Sequence, residues 1–305
     1  MRKITFYLLL IIPFFISCQE ARKDELSLKV LATTDVHGAL FPYDLVNDRE
    51  SESSLAQAYT YISKERGNKN QHVILLDNGD ILQGDPVVYY SNFEKPKQKH
   101  ICAEVMNFMA YDAGTVGNHD IEPGHEVYDR VVREFAFPWM AANAVKDSDG
   151  TPYFKPYTII EKEGVRIAVI GFITAAIPKW LPEKIWSGMH FEEIEASAKK
   201  WMAIVKEKEK PDMIIGLFHS GLGEFDGDDS VVKENETYQV AKRVPGFDMI
   251  VCGHDHQDAI KWVENSDKKQ VLIINPKSKA QFLADVSVSF KLNADKKTYT
   301  KKLEP

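Results

Sequence analysis

The stretch VGNHDIEPG, residues 116–124, sets Asn118, His119 and Asp120 between a small apolar run and a Pro-Gly break. A loop at such a point is ordinary, but its residues are usually chosen for turn geometry, with Gly, Pro and Ser prominent beside Asn and Asp. Asn-His-Asp in direct succession offers side chains that bind metals or move protons. Its meaning turns on whether other strands of the chain end in the same way.

Seven apolar runs read as buried strands: LKVLATT (28–34), HVILLD (72–77), AGTVG (113–117), VRIAVIGF (165–172), MIIGLF (213–218), MIVCG (249–253) and VLIINP (271–276). Helical periodicity lies between them, over residues 54–66, 100–109, 125–135, 194–208 and 236–243, while ADVSVSF (284–290) alternates like a strand with one wet face. The class is α/β, with sheets covered by helices. The strand exits are TTDVHG (33–38), LLDNGD (75–80), GNHD (117–120), LFHSG (217–221) and VCGHDH (251–256). Any one alone is more often a turn than a site. Five together fall on the edge where open α/β sheets bind ligands, outside the carboxyl ends of the strands.

These exits offer carboxylate, imidazole and amide groups but no thiolate, a set suited to Zn, Mn or Fe in a catalytic site rather than to a structural zinc. There are enough of them for two ions. Two ions about 3.5–4 Å apart, bridged by a carboxylate and a water-derived hydroxide, clamp the attacking and leaving oxygens of an in-line displacement at phosphorus. Hydrolysis of a phosphoester is therefore expected.

The chain carries a formal charge of −7, and two more negative charges once Arg2 and Lys3 are removed with residues 1–17. So acidic a surface repels nucleic-acid polymers, and an anionic substrate needs a local positive site. Residues 1–17 read as an export signal: Arg2 and Lys3, an apolar run from Ile4 to Ile16 too short to span a bilayer comfortably, then Ser17. FISC (15–18) resembles the lipobox of bacterial lipoproteins, which makes Cys18 the lipidated residue, 18–27 a polar tether, and the location the periplasmic face or cell surface of a Gram-negative-type envelope. Cys102 and Cys252 are expected to be small buried hydrophobes. Residues 293–305 read as a polar tail.

The ordered motifs Asp-x-His, Gly-Asp, Gly-Asn-His-Asp, His and Gly-His-x-His, spanning residues 35–256, resemble the calcineurin-like metallophosphoesterase superfamily. DNGDILQGDP, PWMAANAV and HSGLG sharpen the likeness to the catalytic domain of the 5′-nucleotidase and 2′,3′-cyclic-nucleotide phosphodiesterase group. The resemblance implies an αββα sandwich, two packed mixed sheets flanked by helices, over residues 28–292. It implies two divalent ions, the first held by Asp35, His37 and His256, the second by Asn118, His219 and His254, with Asp80 bridging both. It makes His119 the leaving-group histidine and Asp120 its orienting partner. Asp255 is expected to point away, Asp77 or Asn78 to support their loop, and His72, His100, His125 and His190 to be surface or helix-end residues. Asn143 reads equally as support for the site or as a turn-capping amide.

The implied substrate is a small phosphoester, by preference a nucleotide or cyclic nucleotide. Two departures qualify that. Ile121, Glu122 and Pro123 replace the residues common after GNHD in the group, and no counterpart of its nucleoside-holding domain precedes Pro305. No aromatic pair in residues 28–290 is identifiable from sequence as a replacement, so a separate chain supplying that domain is the favoured expectation. The alternatives are a general phosphatase or phosphodiesterase acting on sugar phosphates, and a lipid-anchored binding module without turnover.

Overall fold

The computed structural model describes residues 22–223, 233–295 and 297–305. The expected signal (1–17) and the expected lipidation site Cys18 lie outside the described residues. In chain order the principal elements are β1 (Glu25–Thr33), α1 (Leu55–Gly67), β2 (His72–Asp77), α2 (Ile101–Phe108), β3 (Ala113–Thr115), α3 (His125–Glu134) and β4 (Trp139–Met140). β5 (Tyr157–Lys162), β6 (Val165–Ile173), α4 (Ile194–Glu209), β7 (Met213–His219), α5 (Thr237–Arg243) and β8 (Met249–Cys252) follow. The chain closes with β9 (Asp258–Glu264), β10 (Gln270–Pro276), β11 (Ala284–Leu292) and β12 (Tyr299–Glu304).

Two mixed six-stranded sheets result, ordered β12-β11-β1-β2-β3-β4 and β9-β10-β8-β7-β6-β5. Each has a parallel centre: β1 through β4 in the first sheet, β6, β7, β8 and β10 in the second. Strand runs without polar alternation are explained by two cores, one on each face. Val30, Ile74, Val169, Ile215, Val251 and Val286 meet between the sheets. The intervening residues turn outward: Leu31 and Leu75 pack with Ile62, Met106 and Val131 of the helices, and Ile170 and Ile250 pack with Val205 and Val240. The product is the four-layer αββα sandwich.

Two boundaries are corrected. Residues 293–305 are not a tail, because β12 pairs antiparallel with β11 from Ser287↔Glu304 to Leu292↔Tyr299. Its inward positions alternate Tyr299, Lys301 and Leu303, and the lysines that mask the apolar pattern are those that blunt an exposed edge. Lys301 Nζ ion-pairs with Asp248 at 2.6 Å, while the Tyr299 hydroxyl donates to the Lys23 carbonyl at 2.9 Å. At the other end β1 begins at Glu25, within the stretch read as tether. Cys102 and Cys252 are free and buried, as expected.

Candidate metal centre

The pairing Thr33↔Asp77 between β1 and β2 sets two strand exits side by side. The Asp35 amide then donates to the Gly79 carbonyl at 2.9 Å and the His37 amide to the Asp80 carbonyl at 2.8 Å. In the second sheet His219 ends β7, and Cys252, which ends β8, is paired with Phe218. Both sheets thus aim their carboxyl ends at one place. The loops there are held in an unusual conformation: Asp35, His37, Asp80, His254 and His256 all have positive φ, between 48° and 73°. Non-glycine residues seldom adopt this region, and its clustering at one edge marks a functional constraint.

The structure brings all seven expected ligands together in two groups. Asp35, His37 and His256 form the first and Asp80, His219 and His254 the second, with the candidate ligand atoms of each within 4.8 Å of one another. His37 Nε2 and His256 Nε2 stand 3.0 Å apart, and His256 Nε2 lies 3.3 Å from Asp35 Oδ1. His219 Nε2 is 3.0 Å from Asp80 Oδ2, and Asn118 Oδ1 lies 3.0 Å from that same nitrogen and 2.8 Å from His254 Nδ1. Asp80 Oδ2 is also 3.9 Å from His37 Nε2, so one carboxylate oxygen stands between the groups.

The donor set can be tested through the other nitrogen of three of the four rings. His219 Nδ1 donates to the Asn78 carbonyl at 2.7 Å, His37 Nδ1 to the Gln83 carbonyl at 3.2 Å and its Oε1 at 3.1 Å, and His254 Nε2 to Glu234 Oε1 at 2.9 Å. Each such bond fixes the tautomer and leaves the opposite nitrogen with a lone pair aimed inward. Lone pairs of imidazole, amide and carboxylate therefore converge on one another. That arrangement needs positive charge between them, and the residues fit a pair of divalent cations. Gln83 lay within a quoted motif without a role, and Glu234, in KENET, gave no sequence signal.

The electrostatics show the negative field that would draw in cations, and that draws a proton onto His219 in their place. Burial alone would lower the His219 pKa, but the charges of Asp80 and Asp35 raise it to about 10. Burial would likewise raise Asp80, yet His219, His37 and His119 hold it well below the usual carboxylate range. His37 and His254 are held down chiefly by burial, which favours the neutral imidazole a metal requires.

His119 and its expected partner need a correction. His119 adjoins the centre: its ring lies 5.3 Å from that of His37, and its amide donates to Asp80 Oδ1 at 2.8 Å. Asp120, however, does not orient it. The wholly buried Asp120 carboxylate accepts four backbone N–H groups, from Gly117 at 2.7 Å, Asp80 and Ile81 at 2.8 Å, and Leu82 at 2.9 Å. It ties the Asp80 loop to the Asn118 loop. The acceptor at His119 Nδ1 is Glu122 Oε2, 2.6 Å away, and this bond raises the His119 pKa. On the helical turn Asn118–Ile121, neighbours i and i+1 diverge whereas i and i+3 meet.

The supporting residues are placed as follows. Asp255 points away, accepting from the Leu222 amide at 2.9 Å and Asn275 Nδ2 at 2.8 Å. Asp77 accepts from Thr33 Oγ1 and the Gly79 amide, Asn78 Nδ2 donates to the Phe218 carbonyl, and both support their loop. Asn143 spans the Ile173 and Glu192 carbonyls, a structural bracket. His100 is a helix end, as expected, but fully buried. Gly117 is required for space: a Cβ there would fall 2.1 Å from Asp80 Oδ1.

A two-sheet α/β domain with two carboxylate-imidazole groups across its carboxyl edge defines the class of dinuclear metallohydrolases. The profile of the calcineurin-like phosphoesterase family matches residues 28–258, and the chain belongs to that family, whose members use a dinuclear divalent metal centre. It is 32% identical over 257 residues to the trifunctional nucleotide phosphoesterase protein YfkN of Bacillus subtilis, covering 79% of this chain and 17% of that protein. It is 29% identical over 247 residues to the 2′,3′-cyclic-nucleotide 2′-phosphodiesterase/3′-nucleotidase of Haemophilus influenzae, covering 77% and 37%. The chain thus spans well under half the length of either relative. The crystal structure of calcineurin-like phosphoesterase YfkN from Bacillus subtilis superposes with a TM-score of 0.78 at 28% identity, covering 92% of this chain and 91% of that one.

Proposed function

We propose that the chain hydrolyses nucleotide phosphoesters, 5′- or 3′-monophosphates or 2′,3′-cyclic phosphates, at a dinuclear divalent metal centre. The observation that carries the reading is the pair of ligand groups, with Asp80 of the second 3.9 Å from His37 of the first, beside the Glu122-bound His119. Bound ions supply Lewis acidity toward the phosphoryl oxygens and a water acidic enough to be a nucleophile at neutral pH. The chain's own work is to hold and orient. Asp80 and Asp35 set the local charge, Asn78, Gln83 and Glu234 fix the ring tautomers, and His119, anchored through Nδ1, keeps Nε2 for a proton to the leaving oxygen. The activities for which the two relatives are named support nucleotides as the substrate class.

The test is hydrolysis of AMP, 2′,3′-cyclic AMP and ribose 5-phosphate with added Mn or Zn. No metal-dependent turnover above an Asp80→Asn control defeats the enzyme reading and favours a binding module. Equal or better kcat/KM on ribose 5-phosphate defeats the nucleotidase reading and favours the general phosphatase. The separate chain expected to supply a nucleoside-holding domain is the alternative to base recognition within this domain, and a rise in kcat/KM on AMP when a candidate domain is mixed in would favour it.

We also infer that acyl chains on Cys18 hold the mature protein at a membrane of a Gram-negative-type envelope. The support is Arg2 and Lys3, the apolar run and FISC. Cys18→Ala should move the protein into the soluble fraction. Retention through salt and carbonate washes would place the anchor elsewhere.

A further inference from the structure

We propose that a cavity of about 610 Å³ beside the centre, walled by the aromatic pair Tyr89 and Phe93, holds the nucleobase of the substrate within this domain. The proposal rests on the nucleotide reading and specifies how the base is recognised. The cavity adjoins the site through two of its walls. Gln83 holds His37 Nδ1 and Glu122 holds His119 Nδ1, so each wall is one hydrogen bond from a residue of the centre. A group leaving from phosphorus toward His119 would need to reach only past Glu122, which bonds that ring and lines the cavity, to meet this space.

The lining decides what fits. Tyr89 and Phe93 are four residues apart on one continuous helical segment, with ring centroids 5.0 Å apart and planes inclined at 58°. They are 60% and 47% exposed, although burying such rings in the core is favourable. Exposed rings at the mouth of a pocket offer a face on which any base can stack. Val46, itself 68% exposed, adds apolar surface. The charged lining residues are Asp85 and Glu122, and among the described residues no Lys, Arg or His lines the cavity. A second phosphate is thereby disfavoured. A neutral, flat group carrying N–H donors suits both the rings and the carboxylates, and a nucleobase with an exocyclic amine is such a group. The volume lies within the range of small-ligand sites. Because both rings are exposed, replacing them leaves the core intact.

The test uses adenosine as a probe that needs no hydrolysis, with AMP and ribose 5-phosphate as substrates differing only by the base. Isothermal titration of the full chain should show adenosine binding that weakens about tenfold in Tyr89→Ser/Phe93→Ser, equivalent to about 1.4 kcal/mol and within the range for one stacked base. The preference in kcat/KM for AMP over ribose 5-phosphate should fall by a similar factor. Tyr89→Phe/Phe93→Tyr should keep both properties. Adenosine that fails to bind the unsubstituted chain, or binds the serine pair equally well, overturns the proposal even if AMP is hydrolysed. Adenosine held through the two rings by a chain that hydrolyses nothing would support the pocket while removing the activity assigned above.

Discussion

Replacing Asp120 and Glu122 in turn separates two kinds of carboxylate, one and three residues after His119. Asp120 accepts four backbone N–H groups at 2.7–2.9 Å and is wholly buried. In Asp120→Asn one oxygen becomes an NH₂ that faces two N–H donors, so two charge-assisted bonds are lost and two buried donors are stranded. At about 1.5–3 kcal/mol for each bond to a charged group, the cost is at least about 3 kcal/mol. That lowers the melting temperature by roughly 6–12 °C for a domain of this size. Because two of the donors come from Asp80 and Gly117, metal content should fall as well. Glu122 is 43% exposed on its side chain and touches only His119 among the site residues. Glu122→Gln should leave melting within about 1 °C and metal content unchanged, since exposed substitutions are usually near neutral. Its kcat on a poor leaving group should fall about 10–100-fold, the loss of one charged hydrogen bond. Calorimetry, elemental analysis and kinetics on AMP give all three readouts. A stable, metal-replete Asp120→Asn with a selective loss of kcat would refute the reassignment and return the orienting role to Asp120.

Three further outcomes follow from the same geometry. His119→Ala should reduce kcat on AMP by about 10²–10⁴-fold with both metals retained, and less on a substrate with a good leaving group; loss of one metal would identify it as a ligand instead. Gly117→Ala should destabilise by about 1–3 kcal/mol and lower metal occupancy, because the added methyl meets the Asp80 carboxylate; unchanged binding by calorimetric titration would show that the loop yields. His100 is neutral in the fold, pushed down to about 4 by burial and the nearby Arg130, whereas in the unfolded chain it titrates near 6.5. The unfolded state therefore binds the extra proton between these values, so the stability His100 contributes is present above about pH 6.5 and lost as pH falls toward 4. The full loss is about 3 kcal/mol, and His100→Ser, which keeps a capping oxygen for the Cys102 amide, should flatten that part of the urea-midpoint profile.

What could be read from the chain alone followed from how each segment meets water. The central parallel strands were legible because both faces are buried, leaving apolar runs that no loop would carry. Edge strands were harder. β9, with Lys261 and Glu264 among Ile260 and Trp262, and β12, with its lysines, expose one side and so lose the pattern. The ligands were visible because a metal site needs particular residue types at strand ends. Their supports were not, since a carbonyl at Asn78 or a carboxylate at Glu234 can come from anywhere the fold brings close. The misplaced partner of His119 came with the family resemblance, whereas on this helical turn the residue that meets the ring is three positions on, Glu122.

The backbone at the centre gives a reason why the ligands sit where they do. Five of the seven occupy left-handed conformations that cost on the order of 1 kcal/mol or more apiece for non-glycine residues. Such strain persists only where other bonds over-determine it. Here the Asp35 amide is held by Gly79, the Asp35 carbonyl by the Lys279 amide, the Asp35 carboxylate by the His254 amide, and the Asp80 amide by Asp120. The first and last of these anchors belong to the first sheet, and the His254 amide to the second. The two sheets are thus locked together through the same polar groups that would hold the ions. A change in their relative packing would therefore move ligands of both groups at once, and the dense apolar layer between the sheets, Val30, Ile74, Val169 and Val251 among it, is part of what keeps seven side chains at bonding distance.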